Sequence, residues 1–273
     1  MSATQPTSPA RAIGPLLQYW RKTRSLSQLA LAHEADVSPR HICFLETGRA
    51  RPSREMVVLL SNVLDVPLRE RNTMLLAAGF APMYAESRLD APELGAVRTA
   101  LLAILRQQEP FPAVVMNRHW DLVQVNEAAR RFFGLLLGDR AAAGPANVVR
   151  LMFDPNGLRP YVSNWELVAE TLLQRVHREA IGGVPDAATE RLLAEVLAYP
   201  DVPKRLRRVD LGAPSVPVIP ICFRKGDQAF NYFSAITTLG TPQDVTLQEM
   251  RIEGFFPADS ATEARARAMS DLS

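Results

Sequence analysis

Cysteine is nearly absent: the 273 residues hold two, Cys43 and Cys222, far apart along the chain. Two cysteines so placed make neither a disulfide framework nor a metal-ligand spacing, and their scarcity fits a reducing compartment. No apolar run approaches the ~18 residues that a membrane span needs. The opening MSATQPTSPARAIGP is polar and proline-rich without an apolar core, so it does not read as a secretory signal. Residues 1–12 read instead as a disordered lead, and a cytoplasmic protein with no membrane partner is expected. Signals of catalysis are missing too. His33, His41, His119 and His177 keep no metal spacing, and the chain has no G-x-S-x-G, no glycine-rich phosphate loop and no nucleophile beside an evident base. Neither an enzyme nor a cofactor or metal site is expected.

What the chain does have is a hydrophobic share of 47% and a charged share of 22%, enough to bury a core, over a length that calls for two domains. Its charge is unevenly spread. Residues 11–80 carry ten cations (Arg11, Arg21, Lys22, Arg24, Arg40, Arg49, Arg51, Arg54, Arg69, Arg71) against six carboxylates, whereas the whole chain is only +2. A basic first part on a slightly acidic second part suits a head that binds a polyanion and a body that senses or assembles.

The most informative stretch lies in that head. Ser27–Gly48, SQLALAHEADVSPRHICFLETG, reads as two short helices joined by a tight turn at Asp36-Val37. Leu31, Ala32, Ala35, Val37, Ile42 and Leu45 form one apolar face, and polar residues fall between them, the pattern of a helix-turn-helix. Ser38-Pro39 is a cap followed by a first-turn proline, and Gly48 is a helix stop. Around this pair, Ile13–Arg24, Ser53–Leu64 and Leu68–Ala78 have helical spacing, giving an all-α head of five helices over residues 13–80.

Residue types then assign roles. Ser38, Pro39, Arg40, His41 and Phe44 are expected to face the major groove of double-stranded DNA, where an arginine fork reaches guanine O6 and N7. Phe44 has a second reading, packing on a neighbouring helix. Gln28, in the first turn of its helix, and Arg49 and Arg51 are placed for phosphate contacts, which set register without reading sequence. Cys43 reads as an inert small residue, with redox sensing through Cys43 and Cys222 the alternative.

The run SQLALAHEADVSPRHICFLETGRARPS resembles the lambda-repressor-like, or XRE-type, helix-turn-helix family. The resemblance implies that Arg21 pairs with Glu46 and clamps the first helix to the third; two unrelated surface charges are the other reading. Asp36 stands where that family usually has glycine. A further implication is sequence-specific binding as a homodimer on two half-sites.

Residues 81–109 read as a linker, APMYAESRLDAP, followed by a bridging helix at Glu93–Gln108. Residues 110–258 read as an α+β domain with an antiparallel sheet, and residues 259–273 as a frayed tail. Within the body, Ala113–Met116 and Leu122–Val125 form a hairpin, after which Asn126 caps a helix. Trp165–Ala180 and Ala187–Leu197 read as helices, and Leu206–Leu211, Val216–Phe223, Gln228–Thr238 and Val245–Phe256 as strands. Hairpin, asparagine cap and a short helix with Phe132 and Phe133 resemble the opening of a PAS domain. With the runs at Pro112–Asp121, Asn126–Ala129, Asn147–Phe153 and Asn164–Glu166, the chain is similar to the MmyB-like group of XRE regulators, in which a PAS-like ligand-binding domain follows the head. That group implies an apolar small-molecule effector, an acyl chain among the choices, with Asn126, Arg159 and Trp165 as the amphipathic groups to hold it. For Asn126 a helix cap is the competing role. The body also reads as a protein-interaction module with no small ligand, its aromatic residues simply forming core.

Overall fold

The computed structural model describes residues 13–138, 140, 146–181, 186–200, 202–203, 206, 218–240 and 242–271. The chain forms two compact units: Met1–Glu86 with Thr241–Gln248, and Ser87–Gly240 with Glu249–Ser273. The expected disordered lead at 1–12 lies outside the described residues. So does the expected strand Leu206–Leu211, apart from Leu206 itself.

The first unit is helical: α1 Ile13–Thr23, α2 Gln28–Glu34, α3 Pro39–Glu46, α4 Arg54–Val63 and α5 Leu68–Ala77. Three of these helices open on serine. The side chains of Ser27, Ser38 and Ser53 accept from the backbone N–H of Ala30, His41 and Met56, so each helix starts where its cap satisfies an otherwise unpaired donor. Leu16, Leu17, Trp20, Leu31, Ile42, Leu45, Leu60, Leu64 and Leu75 are the buried centre. Asp36 takes φ 52 at the turn between α2 and α3, the left-handed conformation that aspartate tolerates better than most residues. After α5 the chain stays strapped to that helix. The Asn72 side chain accepts from the backbone N–H of Met83 and Tyr84 and donates to the Tyr84 carbonyl.

A short helix completes this unit: α11, Val245–Gln248. Here the strand expected over Val245–Phe256 is corrected. Asp244 bonds forward to the backbone N–H of Thr246 and Leu247, which starts a helix and delays the strand to Arg251. The Val245 N–H donates to the Ala85 carbonyl, and the Gln248 side chain accepts from the Leu68 N–H at the start of α5, a donor that Pro67 cannot cap.

The second unit contains α6 Gly95–Gln107, β1 Ala113–Met116, β2 Leu122–Val125, α7 Glu127–Leu137, α8 Val148–Phe153, α9 Trp165–Ile181, α10 Ala187–Ala198, β3 Ile219–Lys225, β4 Gln228–Thr238, β5 Arg251–Pro257 and α12 Ser260–Asp271. Its antiparallel sheet runs β2-β1-β5-β4-β3. The last strand therefore lies in the middle, between β1 and β4. Inward-facing Phe223, Phe230 and Tyr232 meet Phe132 of α7, Phe255 meets Phe133, and with Val168, Leu172 and Val176 of α9 they make the core. Phe132 sits edge-on to Phe223, Phe230 and Tyr232 at centroid distances of 5.1–5.4 Å, the arrangement aromatic quadrupoles favour.

The expected bridging helix is α6 of this unit, with Leu101 and Leu105 buried. The tail is also corrected. Rather than fraying, residues 260–271 form α12, held by Thr262, whose hydroxyl oxygen accepts from the Asn231 N–H, and by Arg265, which donates to the Ala229 carbonyl. Its charged composition hid a narrow apolar stripe ending in Ala266 and Met269.

Candidate nucleic-acid interface and ligand cavity

Behind α3 stands a buried ion pair. Arg21 of α1 donates from Nε to Glu46 Oε1 at 2.6 Å and from Nη2 to Oε2 at 2.9 Å, with side chains only 10% and 1% exposed. A third donor of the same guanidinium reaches the Leu26 carbonyl at 2.8 Å. Burial alone would raise the Glu46 pKa, but hydrogen bonds from Arg21 and Gln28 outweigh it and hold the carboxyl below its ordinary range. The close approach of the two helices depends on Gly14, where a Cβ would lie 2.4 Å from the Glu46 carbonyl oxygen and 2.9 Å from that of Leu45.

With its back fixed, α3 presents its first turn outward. Ser38, Pro39 and Arg40 are exposed and His41 is half-buried, with Ser38 spending its hydroxyl oxygen on the helix cap. Phe44 is half-buried, and the Arg40 guanidinium lies 5.1 Å from its ring centroid, so the two act as one amphipathic surface. Arg49 and Arg51 are exposed just past Gly48, whose φ of 73 turns the chain out of the helix. Gln28 is the residue placed differently from its expected role. Its amide donates to Glu46 Oε2 at 2.8 Å and belongs to the clamp.

In the second unit a cavity of about 860 Å³ lies beside β2, between the sheet and helices α7 and α8. Its walls are chiefly apolar, including Val114, Val125, Phe133, Leu151 and Phe255, and its volume falls in the usual range for small-molecule sites. Two charged groups also line it, the exposed Arg130 and the buried Glu253.

None of the three expected ligand residues lines this cavity. Asn126 accepts from the backbone N–H of Ala113 and Ala129 and donates to the carbonyls of Leu105 and Phe111. Four bonds exhaust a primary amide, so it ties α6, β1 and α7 together and has nothing left for a ligand. Trp165 donates its indole N–H to the Met152 carbonyl, and Arg159 stacks 4.1 Å from its ring centroid while donating to the Pro200 carbonyl. That pair is an outer clasp near the start of α9. The residue overlooked was Glu253, whose signal was a carboxylate on the same strand parity as Phe255.

Comparison with known families agrees with this division. The helix-turn-helix family matches residues 17–71, and the MmyB-like transcription regulator ligand binding domain matches residues 97–269. The chain belongs to the MmyB-like transcription regulators. No curated protein matches this regulator. A solved RNA-binding light-oxygen-voltage receptor is similar over 98% of this chain and 68% of its own length, at 12% identity and a TM-score of 0.30, too low to carry an argument. This MmyB-like regulator is a DNA-binding transcription regulator, and the families it matches are regulatory rather than enzymatic. Among its described residues, no helix is long and apolar enough to cross a membrane.

Proposed function

We propose that this regulator reads duplex DNA as a homodimer through the exposed first turn of α3, and that a small apolar molecule in the second unit's cavity sets its DNA affinity. The observation that carries the DNA half is the exposed Arg40 on a helix whose opposite face is locked by Arg21–Glu46. Arg40 and His41 are the base-reading side chains, with Ser38, Pro39 and Phe44 shaping the contact, while Arg49 and Arg51 neutralise phosphates. One short helix supplies little affinity by itself. Two copies on half-sites one helical turn apart supply the rest.

The apolar cavity supports a ligand with a hydrocarbon body, an acyl chain being one chemistry that suits its walls. The helix α11, built from the segment between β4 and β5, gives such a ligand a covalent route to the head. β5 carries two cavity-lining residues, Glu253 and Phe255, and starts three residues after Gln248, which accepts from the first N–H of α5. Genomic fragments selected by the purified protein provide the test. Enrichment of a two-half-site sequence that Arg40→Ala no longer enriches is the expected result; fragments without a shared sequence would contradict it.

A further inference from the structure

Arg40 and Phe44 form one surface rather than two. They stand one turn apart on α3, at i and i+4, and so share a face of the helix. The Arg40 guanidinium lies 5.1 Å from the centroid of the Phe44 ring. Among the described residues it pairs with no carboxylate, so the ring is what orients it. A guanidinium laid against an aromatic ring keeps the N–H groups along its edge for other partners, and it has already given up much of its rotamer freedom.

Phe44 is only half-buried. The inner side of α3 is filled by Ile42, Leu45 and the clamped Glu46, all buried, and part of the Phe44 ring stays uncovered beside the guanidinium. An uncovered aromatic surface is unfavourable in water and gains by meeting hydrocarbon. In the major groove of unmodified DNA one base offers hydrocarbon, thymine through its C5-methyl, while guanine offers the O6 and N7 pair that suits an arginine fork. Base pairs stack ~3.4 Å apart. Two side chains that already touch cannot reach base pairs several steps apart, so the groups they meet must be neighbours in the stack.

We infer that Arg40 and Phe44 together read one step of the duplex, a guanine with a thymine beside it. Arg40 forks onto the guanine, and the uncovered part of the Phe44 ring packs on the thymine methyl. Phe44 then has two roles, holding the arginine and reading the neighbouring base, so the two preferences depend on each other. This inference rests on the proposed base-reading role of Arg40 and specifies the base next to the one it reads.

Deoxyuridine lacks that methyl and is otherwise the same as thymidine. Anisotropy titrations of the full chain on its selected DNA site, with each thymine of a half-site replaced in turn by deoxyuridine, therefore test the inference. The base pair whose preference Arg40→Ala relaxes marks the guanine. Wild type is expected to bind about fourfold more weakly when the thymine next to that guanine loses its methyl, the effect of one buried CH2-sized group. Phe44→Ala is expected to abolish this loss, and Pro39→Ala, which removes the other apolar group of the turn, to keep it. If Phe44→Ala does not fold, Pro39→Ala decides which apolar group meets the methyl. The shared reading is overturned, with Arg40 left as a reader, by a site without a thymine beside that guanine, by no methyl effect there, or by an effect that Phe44→Ala keeps or Pro39→Ala removes. A selection that Arg40→Ala changes at no base pair overturns the inference and the role of Arg40 together.

Discussion

At the scale of single residues, the head divides into side chains that hold the scaffold and exposed side chains that the proposed function assigns to DNA. Arg40→Ala is expected to cost about 1–3 kcal/mol on the selected sequence and to relax preference at one base pair. Arg51→Ala should weaken all sequences alike and lower the salt slope by about one. Anisotropy titrations at several salt concentrations separate the two. Glu46 makes a different prediction. Its folded pKa is depressed, so its stabilisation is complete above the ordinary carboxylate range, near ~4, and is lost as pH falls through the folded value. Melting curves at pH 7 and below pH 4 should diverge less for Glu46→Gln than for wild type, while the variant is less stable at pH 7 by about 3 kcal/mol, the cost of leaving Arg21 buried without its charge partner. The Arg21–Glu46 pair was legible in the sequence through family likeness. Gln28 was less legible, because an amide's role is decided by the groups that surround it, here the Glu46 carboxylate; Asn126 fills the helix-cap role that competed with ligand binding. Asn126→Ala is expected to remove more than ~2 kcal/mol from the second unit, since the Ala113 and Ala129 N–H groups lose its side-chain acceptor and the Leu105 and Phe111 carbonyls lose its donor.

At the scale of elements, the sites where one backbone approaches another set the limits. Gly14→Ala improves helix propensity by up to about 1 kcal/mol, but its Cβ would have to displace the Glu46 carbonyl oxygen from 2.4 Å. The steric term wins. A net loss of about 1–3 kcal/mol is expected, visible as a lower melting temperature of the head. Removing α12 should destabilise the second unit, because Thr262 and Ala266 are buried and the Asn231 N–H loses its acceptor. Strands β1, β2 and β4 were legible because each is a short run rich in apolar and β-branched residues bounded by turn residues. α11 was not, because VTLQ followed by RIEGFF continues an apolar run, and the signal for a helix there is the Asp244 cap alone. The tail misled for the opposite reason: its stripe of small residues is too weak a pattern to stand out from its charges.

At the scale of the molecule, the proposed function puts recognition in the first unit and control in the second. A ligand that binds the folded cavity stabilises it by mass action, about 2.7 kcal/mol at a hundredfold excess over its Kd, so calorimetric melting should rise with ligand concentration. A change in DNA affinity requires more than tight binding. The ligand must favour one state of the regulator over another, and the measured change in DNA Kd equals that coupling. The layout itself was visible in the sequence, as a basic helical head before an α+β body. The contribution of Thr241–Gln248 to the first unit was not, because pairing between segments so far apart leaves no local pattern.

The most direct measurement is the anisotropy of a labelled, genome-selected DNA site titrated with wild-type protein, with and without n-decanol at a saturating level fixed by calorimetry. The DNA Kd is expected to change at least about fivefold in one direction, the low end of an ordinary allosteric coupling. An unchanged Kd with the ligand demonstrably bound would contradict the account.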